Sequence, residues 1–378
     1  MLLDAHYLID GVPQEYTPEE LLEAVADTCP QVPGSDDACK SAQGDEADGR
    51  IVIDESIDPS IEAHDWDARK VDEYLAAVRS ARLRFPLPFA DVAARCRVAS
   101  SLIDAIWQSG HFGLQNLALK GVWKWNCAPV GSNAAFYRSV SAATEYMDAL
   151  GVLLQSYRCC DAAACDLSFK AVISQRSWES EDDFDRYGKK LPAMSAARKC
   201  PGNLVPDPSS WLVYIPFETS DYRLGGSLLA QSQGLGGGVS IQLNDPDYFI
   251  DCYEVVRELV EDGIVISGVS VGAGGLLGAV DRLCKDGPGA TLDISGMSRA
   301  FEEDNVVRLL FSEVPGVVVQ IRDMDFDYLD AELLLQDVAY FPLGHPSVRS
   351  TAVRVKKSVK NGLHTILDAL MQKAEGED

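Results

Sequence analysis

The residues best suited to chemistry in this sequence are glycines that could bring backbone amides close to a phosphate. Gly272-Ala273-Gly274-Gly275-Leu276-Leu277-Gly278 follows a predicted strand, opens a predicted helix, and has Asp293 farther along. Amides at such a turn can reach a pyrophosphate at a helix N-terminus. The last glycine stands one position late for G-x-G-x-x-G, so the competing reading is a turn that packs a helix on a sheet. Gly234-Leu-Gly-Gly-Gly238 is a second possible cradle, with no G-K-[S/T] after it. Cys159-Cys160, Asp161, Cys165 and Asp166 form a crude metal-ligand cluster, but neither a C-x-x-C pair nor a nearby histidine supports it, and packing thiols are the plainer reading. His6, His64, His111, His345 and His364 are far apart, and none sits in H-E-x-x-H. Ser227 lies in Gly-Gly-Ser rather than in a nucleophile elbow. Glu302-Glu303-Asp304 reads as a solvated helix start. Glu313, a lone acid in Phe-Ser-Glu-Val-Pro-Gly, is a candidate for holding a ligand or a structural hydrogen bond.

The elements that must position these residues alternate between strands and helices. Thr17-Pro18-Glu19-Glu20 predicts a capped helix to about Ala26, and Ile51–Ile53 a strand. Helices are expected over 68–83, 91–107, 134–150, 247–261, 276–284, 306–310 and 356–375. Further strands are expected over 116–125, 211–217, 264–266, 290–294, 317–321 and 338–341. Residues 30–50 read as an acidic loop, and 177–209 as an insertion or connection without a clear period. The pattern gives an α/β plus α+β class.

Composition narrows the function. The 378 residues carry 33 Lys+Arg against 58 Asp+Glu, a net charge of −25, which disfavours nucleic acid and anionic membranes as partners. Residues 1–70 alone hold 18 acids and 4 bases. No apolar run is long enough to span a membrane. Ten scattered cysteines suit a reducing compartment. The opening MLLDAHYLIDGVPQEY has acids where a targeting peptide has Arg or Lys, so the expectation is an intracellular, cytoplasmic protein, with organellar import of a mature form left open.

Several motifs in order point to a family. They are Trp123-Lys-Trp125, Leu224-Gly-Gly-Ser-Leu-Leu-Ala-Gln231, Gly268 to Leu276, Leu310-Phe-Ser-Glu-Val-Pro-Gly316 and Leu343-Gly-His-Pro346. Over roughly residues 85–350 the chain resembles the second synthetase half of the long-chain phosphoribosylformylglycinamidine synthases, in the aminoimidazole ribonucleotide synthetase superfamily. The resemblance implies an N-terminal α/β domain that pairs with a second copy to form a barrel, and a C-terminal α+β domain that closes an ATP cleft. The corresponding divisions here are an acidic, partly flexible segment 1–84, a domain 85–209, a domain 210–353 and a C-terminal helix 354–378. Family enzymes use ATP and Mg²⁺ to activate an amide oxygen, which ammonia then displaces.

The departures from that family fall on charged positions. Where the family reads G-H-D-V-S-D-G-G-L, this chain reads Gly268-Val269-Ser270-Val271-Gly272-Ala273-Gly274-Gly275-Leu276. The family's G-K-D-S falls near Tyr157-Arg158-Cys159-Cys160, or with Asp166 in the aspartate's place in another register. Its E-A-L-T-N falls near Ser101-Leu102-Ile103-Asp104-Ala105, without the Glu and Asn. Mg²⁺ needs carboxylate oxygens, so their loss removes the expected metal site. The expectation is therefore a catalytically degenerate module with a structural or protein-binding role, with no catalytic residue, metal ligand or cofactor assigned. Gly225, Gly226, Ser227, Gly274, Gly275 and Glu313 are the candidates for a residual ligand cleft. The implied partner is another synthetase-like half or a protein complex, in a dimer or larger assembly, because a single half leaves a sheet edge and an apolar face unpaired. Two alternatives stand: an active subunit of a split synthase using ATP and Mg²⁺ for C–N ligation, and a dinucleotide-binding oxidoreductase carried by residues 264–293.

Overall fold

A computed structural model describes residues 2–26, 50–60, 64–109, 113–174, 195–347 and 350–356. The expectations for the loop 30–50, for most of the insertion 177–209 and for the helix 356–375 fall largely outside these residues. In chain order the elements are β1 (His6–Ile9), β2 (Val12–Pro13), α1 (Pro18–Ala24), β3 (Ile51–Asp54), α2 (Val71–Ser80), α3 (Ala90–Ile106), β4 (Gln108–Ser109), β5 (Leu117–Trp125), α4 (Ser132–Ala149), β6 (Leu153–Asp161), β7 (Asp166–Ile173) and β8 (Ser195–Arg198). There follow β9 (Trp211–Pro216), α5 (Leu228–Ser232), α6 (Pro246–Glu261), β10 (Val265–Val271), α7 (Gly275–Leu283), β11 (Gly289–Leu292), α8 (Ser295–Ala300), α9 (Val306–Phe311), β12 (Gly316–Ile321), α10 (Phe326–Leu335), β13 (Phe341–Ser347) and β14 (Arg354–Val355). This is a mixed α/β fold. Among the described residues no helix is long and apolar enough to cross a membrane.

The first half is built on a small sheet in the order β6-β5-β7, parallel between β5 and β6 and antiparallel between β5 and β7. Alternation along β5 sends Leu117, Leu119, Trp123 and Trp125 inward, where they are buried. There Trp125 Nε1 donates to the Ser132 carbonyl at 2.8 Å and Trp123 Nε1 to Ser139 Oγ at 3.2 Å, which fixes α4 against the sheet. Gly121 is required on this face, because a Cβ would stand 2.5 Å from the Trp123 ring. Among the described residues the strands close no barrel.

The opposite face of this sheet corrects the expectation of an unpaired apolar surface. It presents Lys120, Val122 and Lys124 from β5, Ser156, Arg158 and Cys160 from β6, and Asp166, Ser168 and Lys170 from β7. Lys124, Arg158, Ser168 and Lys170 are exposed.

The N-terminal segment packs onto this half. Thr17 and Glu20 form the expected capping box on α1. β1 pairs with β2 and β3. At the end of β3, Asp54 accepts hydrogen bonds from the amides of Gly131 (3.1 Å), Asn133 (2.9 Å) and Ala134 (3.3 Å), at the start of α4. A carboxylate thus satisfies the amide donors that a helix N-terminus leaves unpaired.

In the second half a six-stranded sheet runs β10-β12-β9-β13-β11-β14, antiparallel except for β11 with β14. Every residue of the central strand β12 is buried, as its apolar character on both faces predicts. Its one polar side chain, Gln320, is matched by Ser267, Ser210 and both backbone groups of Val205. The two halves share a continuous apolar core. Polar ties across them include Trp107 Nε1 to Ser270 Oγ (2.8 Å) and the Leu114 amide to Glu254 (2.9 Å).

Candidate functional site

The candidate glycines and Glu313 meet where α3, α5 and α7 approach one another. A cavity of about 80 Å³ lies there, walled in part by Phe89, Cys96, Arg97, Ser100, Arg223 and Glu313. Gly225, Gly226 and Ser227 also line it. Gly225 is tight against the chain, since a Cβ would lie 2.6 Å from the Val239 backbone. Gly226 holds φ +76° over the Phe89 ring, a conformation that glycine adopts without steric cost. The Ser227 hydroxyl is committed to helix capping: it donates to the Leu224 carbonyl (2.7 Å) and accepts from the Ala230 amide (3.2 Å).

Glu313 is the pivot. Its Oε1 accepts from the Leu228 amide and from the Gly274 amide, both at 2.8 Å. These two amides begin α5 and α7, so one carboxylate oxygen joins the ends of two helices. An anion seat of the kind expected at the Gly274 turn is present, and a side chain of the chain itself fills it. Burial raises the Glu313 pKa, opposed by these two hydrogen bonds and by the charges of Arg97 and Arg282. The same burial, helped by the Glu313 charge, pushes the Cys96 thiol up to about 12.

Gly275 does not face the cavity. A Cβ there would stand 2.6 Å from the Phe311 backbone, so this glycine, with φ +66°, serves close packing of α7 on α9. Gly274, at φ +85°, contributes its amide to Glu313 and is not among the cavity-lining residues. Asp293 caps the turn into α8 through Ser295 (3.0 Å to its amide) and lies outside the cavity. β10, which precedes the glycines, pairs only with β12, antiparallel. The parallel βαβ unit of a dinucleotide fold is therefore missing at residues 264–293 among the described residues.

The four changed positions of the family motif, Val269, Ser270, Gly272 and Ala273, lie on and after β10. Ser270 Oγ donates to Asp104 Oδ1 (2.5 Å) and accepts from Trp107. Arg282 donates to the carbonyls of Ser270 (3.1 Å) and Ala273 (3.2 Å), and Arg198 to that of Gly268 (2.7 Å). Two guanidinium groups and the Asp104 carboxylate thus border a stretch that in the family carries acids.

These residues do not fit Mg²⁺. That ion demands octahedral oxygen ligation anchored by carboxylates. Glu313 is the single carboxylate lining the cavity, its Oε1 is engaged by two amides, and Arg97 and Arg223 share the wall. Cys159 and Cys160 project to opposite faces of β6, and Cys165 Sγ accepts from the Asn126 amide at 3.4 Å. Among the described residues no group of three or more His, Cys, Asp or Glu could hold a metal.

A second, wider cleft of about 620 Å³ opens between α2 and α7, bordered by Arg79, Asp281, Arg282, Lys285 and Thr351. Arg79 is ion-paired with Asp281 there. Neither this cleft nor Glu218 was foreseen from the sequence. Glu218 follows β9, is 5% exposed, and accepts from the amides of Thr219 (2.9 Å), Ser220 (3.2 Å), Asn244 (2.9 Å) and Asp245 (3.4 Å). An acid directly after an apolar strand and before Thr-Ser is the signal that could have singled it out.

Residues 218–325, which include Glu313 and the Gly274 turn, match the family AIR synthase related protein, C-terminal domain. The human phosphoribosylformylglycinamidine synthase is 23% identical over 273 residues, covering 72% of this chain and 20% of that protein. The probable chloroplastic/mitochondrial phosphoribosylformylglycinamidine synthase of Arabidopsis thaliana is 24% identical over 261 residues, or 67% of this chain and 17% of that one. Among solved structures, phosphoribosylformylglycinamidine synthase II from Thermotoga maritima is 14% identical, with a TM-score of 0.47, covering 76% of this chain and 40% of that chain. The chain spans about a fifth of the length of the curated relatives it matches. By its motifs, its C-terminal family match and these relatives, the chain resembles phosphoribosylformylglycinamidine synthase, in the AIR synthase superfamily.

Proposed function

We propose that this chain is a catalytically degenerate phosphoribosylformylglycinamidine synthase-like module that serves as a structural or protein-binding subunit of a larger assembly. The observation that carries this reading is that both aspartates of the family motif are absent, with Ser270 and Ala273 in their places. The Glu313 carboxylate, in a segment shared with the family, takes the two amides that a phosphate would need at the Gly274 turn. A triphosphate arriving there would meet a negative charge in place of two donors, in a chain of net charge −25. The Val, Ser, Val, Gly and Ala at 269–273 offer no carboxylate to bring Mg²⁺ as a counter-charge. The cavity of about 80 Å³ is also well below the roughly 300–1,000 Å³ of ordinary small-molecule sites. Packing residues are kept at the same time, which suits a scaffold.

A second reading, an active subunit of a split synthase catalysing ATP-dependent C–N ligation, is favoured by the cleft between α2 and α7. It has the volume for a nucleotide and carries Arg79, Arg282 and Lys285. Calorimetry of the intact chain with ATP and Mg²⁺ separates the two. The scaffold reading expects no binding heat at millimolar nucleotide. Micromolar affinity, lost in Lys285→Ala, would replace it with the enzymatic one.

A further inference from the structure

Helix α10 carries apolar side chains on two faces. Leu329 and Leu333 point inward and are buried. Met324, in the turn before the helix, and then Tyr328, Ala331 and Leu335 follow at steps of four, three and four, which sets them along one outer side. Met324 (82%) and Leu335 (77%) are the two most exposed large apolar side chains among the described residues, and Tyr328 and Leu334 are exposed beside them. At helical spacing Asp323 and Asp330 border one edge of this stripe, and Asp325 and Glu332 the other. Residues 323–337 hold six acids and no Lys or Arg.

The chain itself has a segment of matching pattern and opposite charge. Residues 357–378 follow the last described position. Within the helix expected from the sequence there, Val359, Leu363, Ile366 and Leu370 repeat the steps of four, three and four. Lys356, Lys357, Lys360 and His364 stand at its start, and residues 356–364 contain no acid. The segment leaves from β14, at the edge of the sheet. Trp211 of β9, three strands or about 15 Å away, stacks on Phe326 of α10. Packed helices lie 8–10 Å apart, so a few extended residues bring the segment alongside α10.

We propose that residues 357–375 dock as an amphipathic helix on the outer face of α10, Val359, Leu363, Ile366 and Leu370 covering Met324, Tyr328, Ala331 and Leu335. The lysines at the start of the segment then meet the acids that border the stripe. A second copy of α10 would instead set acids against acids. A separate basic helix has the same chemistry, but the tethered segment competes at a millimolar effective concentration. Docking closes the face to other helices. α10 does not line the Glu313 cavity, so nucleotide titration bears on neither face nor segment.

The test is limited trypsin digestion of the intact chain, with mass spectrometry of cleavage after Lys360 and Lys373. Docking shields both sites. Met324→Asp with Leu335→Asp, both at exposed positions, should speed this cleavage at least about tenfold, because cleavage tracks the undocked population. Val130→Asp, at an exposed apolar position elsewhere, should leave it unchanged. Hydrogen exchange reads the contact from the other side: Leu363→Asp with Ile366→Asp should raise exchange across α10, a change that melting of the segment alone would not produce. Far-UV circular dichroism establishes that each variant is folded. Cleavage as fast in the wild type as in the α10 variant, or α10 exchange indifferent to the segment variant, would overturn the proposal. Protection lost on dilution, together with a dimer in sedimentation that the α10 variant dissociates, would assign the face to a second copy instead.

Discussion

Truncating Glu313 tests whether one carboxylate holds the site together. In Glu313→Ala the Leu228 and Gly274 amides both lose their acceptor, each now 2.8 Å from Oε1. Left dry, an orphaned donor costs about 1–3 kcal/mol. The adjoining cavity of about 80 Å³ exceeds the roughly 10–15 Å³ that one water needs. Water can therefore recover part of the loss, and the expected destabilisation is about 2 kcal/mol in total. Glu313→Gln keeps an oxygen for both amides and should stay within about 1 kcal/mol of the wild type at neutral pH. The pH dependence then isolates the charge. Burial raises the Glu313 pKa in the folded chain above the ordinary glutamate value of 4.5. Between that value and the raised one the folded state holds a proton that the unfolded state has released, so wild-type stability falls as pH rises through this window. The glutamine variant lacks this dependence and should gain on the wild type from pH 4 to pH 7. Urea unfolding followed by tryptophan fluorescence, at several pH values, reads both quantities. Full stability in Glu313→Ala would refute the bridging role. A wild type that gains on Glu313→Gln as pH rises would show that the amides and Arg97 outweigh burial.

Two other substitutions and one chemical probe follow from the same geometry. Gly275→Ala places a methyl 2.6 Å from the Phe311 backbone at φ +66° and should cost about 3 kcal/mol. Gly234→Ala meets nothing within 4 Å at φ +71° and should cost only about 1 kcal/mol in a parallel melt. Near-equal losses would mean that contact with Phe311 is unimportant. Cys96, its thiol pushed up to about 12, should resist iodoacetamide at pH 8, while the exposed Cys127 reacts. Mass spectrometry of the digested protein identifies which cysteine is labelled first.

Much of this architecture is legible in the sequence where one physical signal dominates. The helix after Thr17 was marked by its cap, and β12 by β-branched residues on both faces. The ending of the 68–83 helix was placed slightly late, because the backbone leaves helical geometry at Ala81 while the apolar pattern continues to Leu83. β6 and β7 went unseen, since their outward residues are Lys, Arg, Ser and Cys and their inward ones are irregular. α10 was missed for the opposite reason. Its apolar residues are not confined to one face, with Leu334 67% and Leu335 77% exposed while Leu329 and Leu333 are buried, and so it has no single-face period. The strand expected at 338–341 is shifted to Phe341–Ser347, where Pro342, Gly344 and Pro346 conceal the pairing. At the site, Glu313 stood out as an isolated acid. Its partners lie 85 and 39 residues away in sequence, and only tertiary folding brings them to one oxygen.

The Asp54 carboxylate on the first turn of α4 reaches well beyond that turn. A shortened chain beginning at residue 85 would expose the positive end of an 18-residue helix and strip the adjoining small sheet of its neighbour. The leading residues therefore behave as a clasp welded to the module rather than as baggage in front of it. Any attempt to express the minimal unit should start upstream of them.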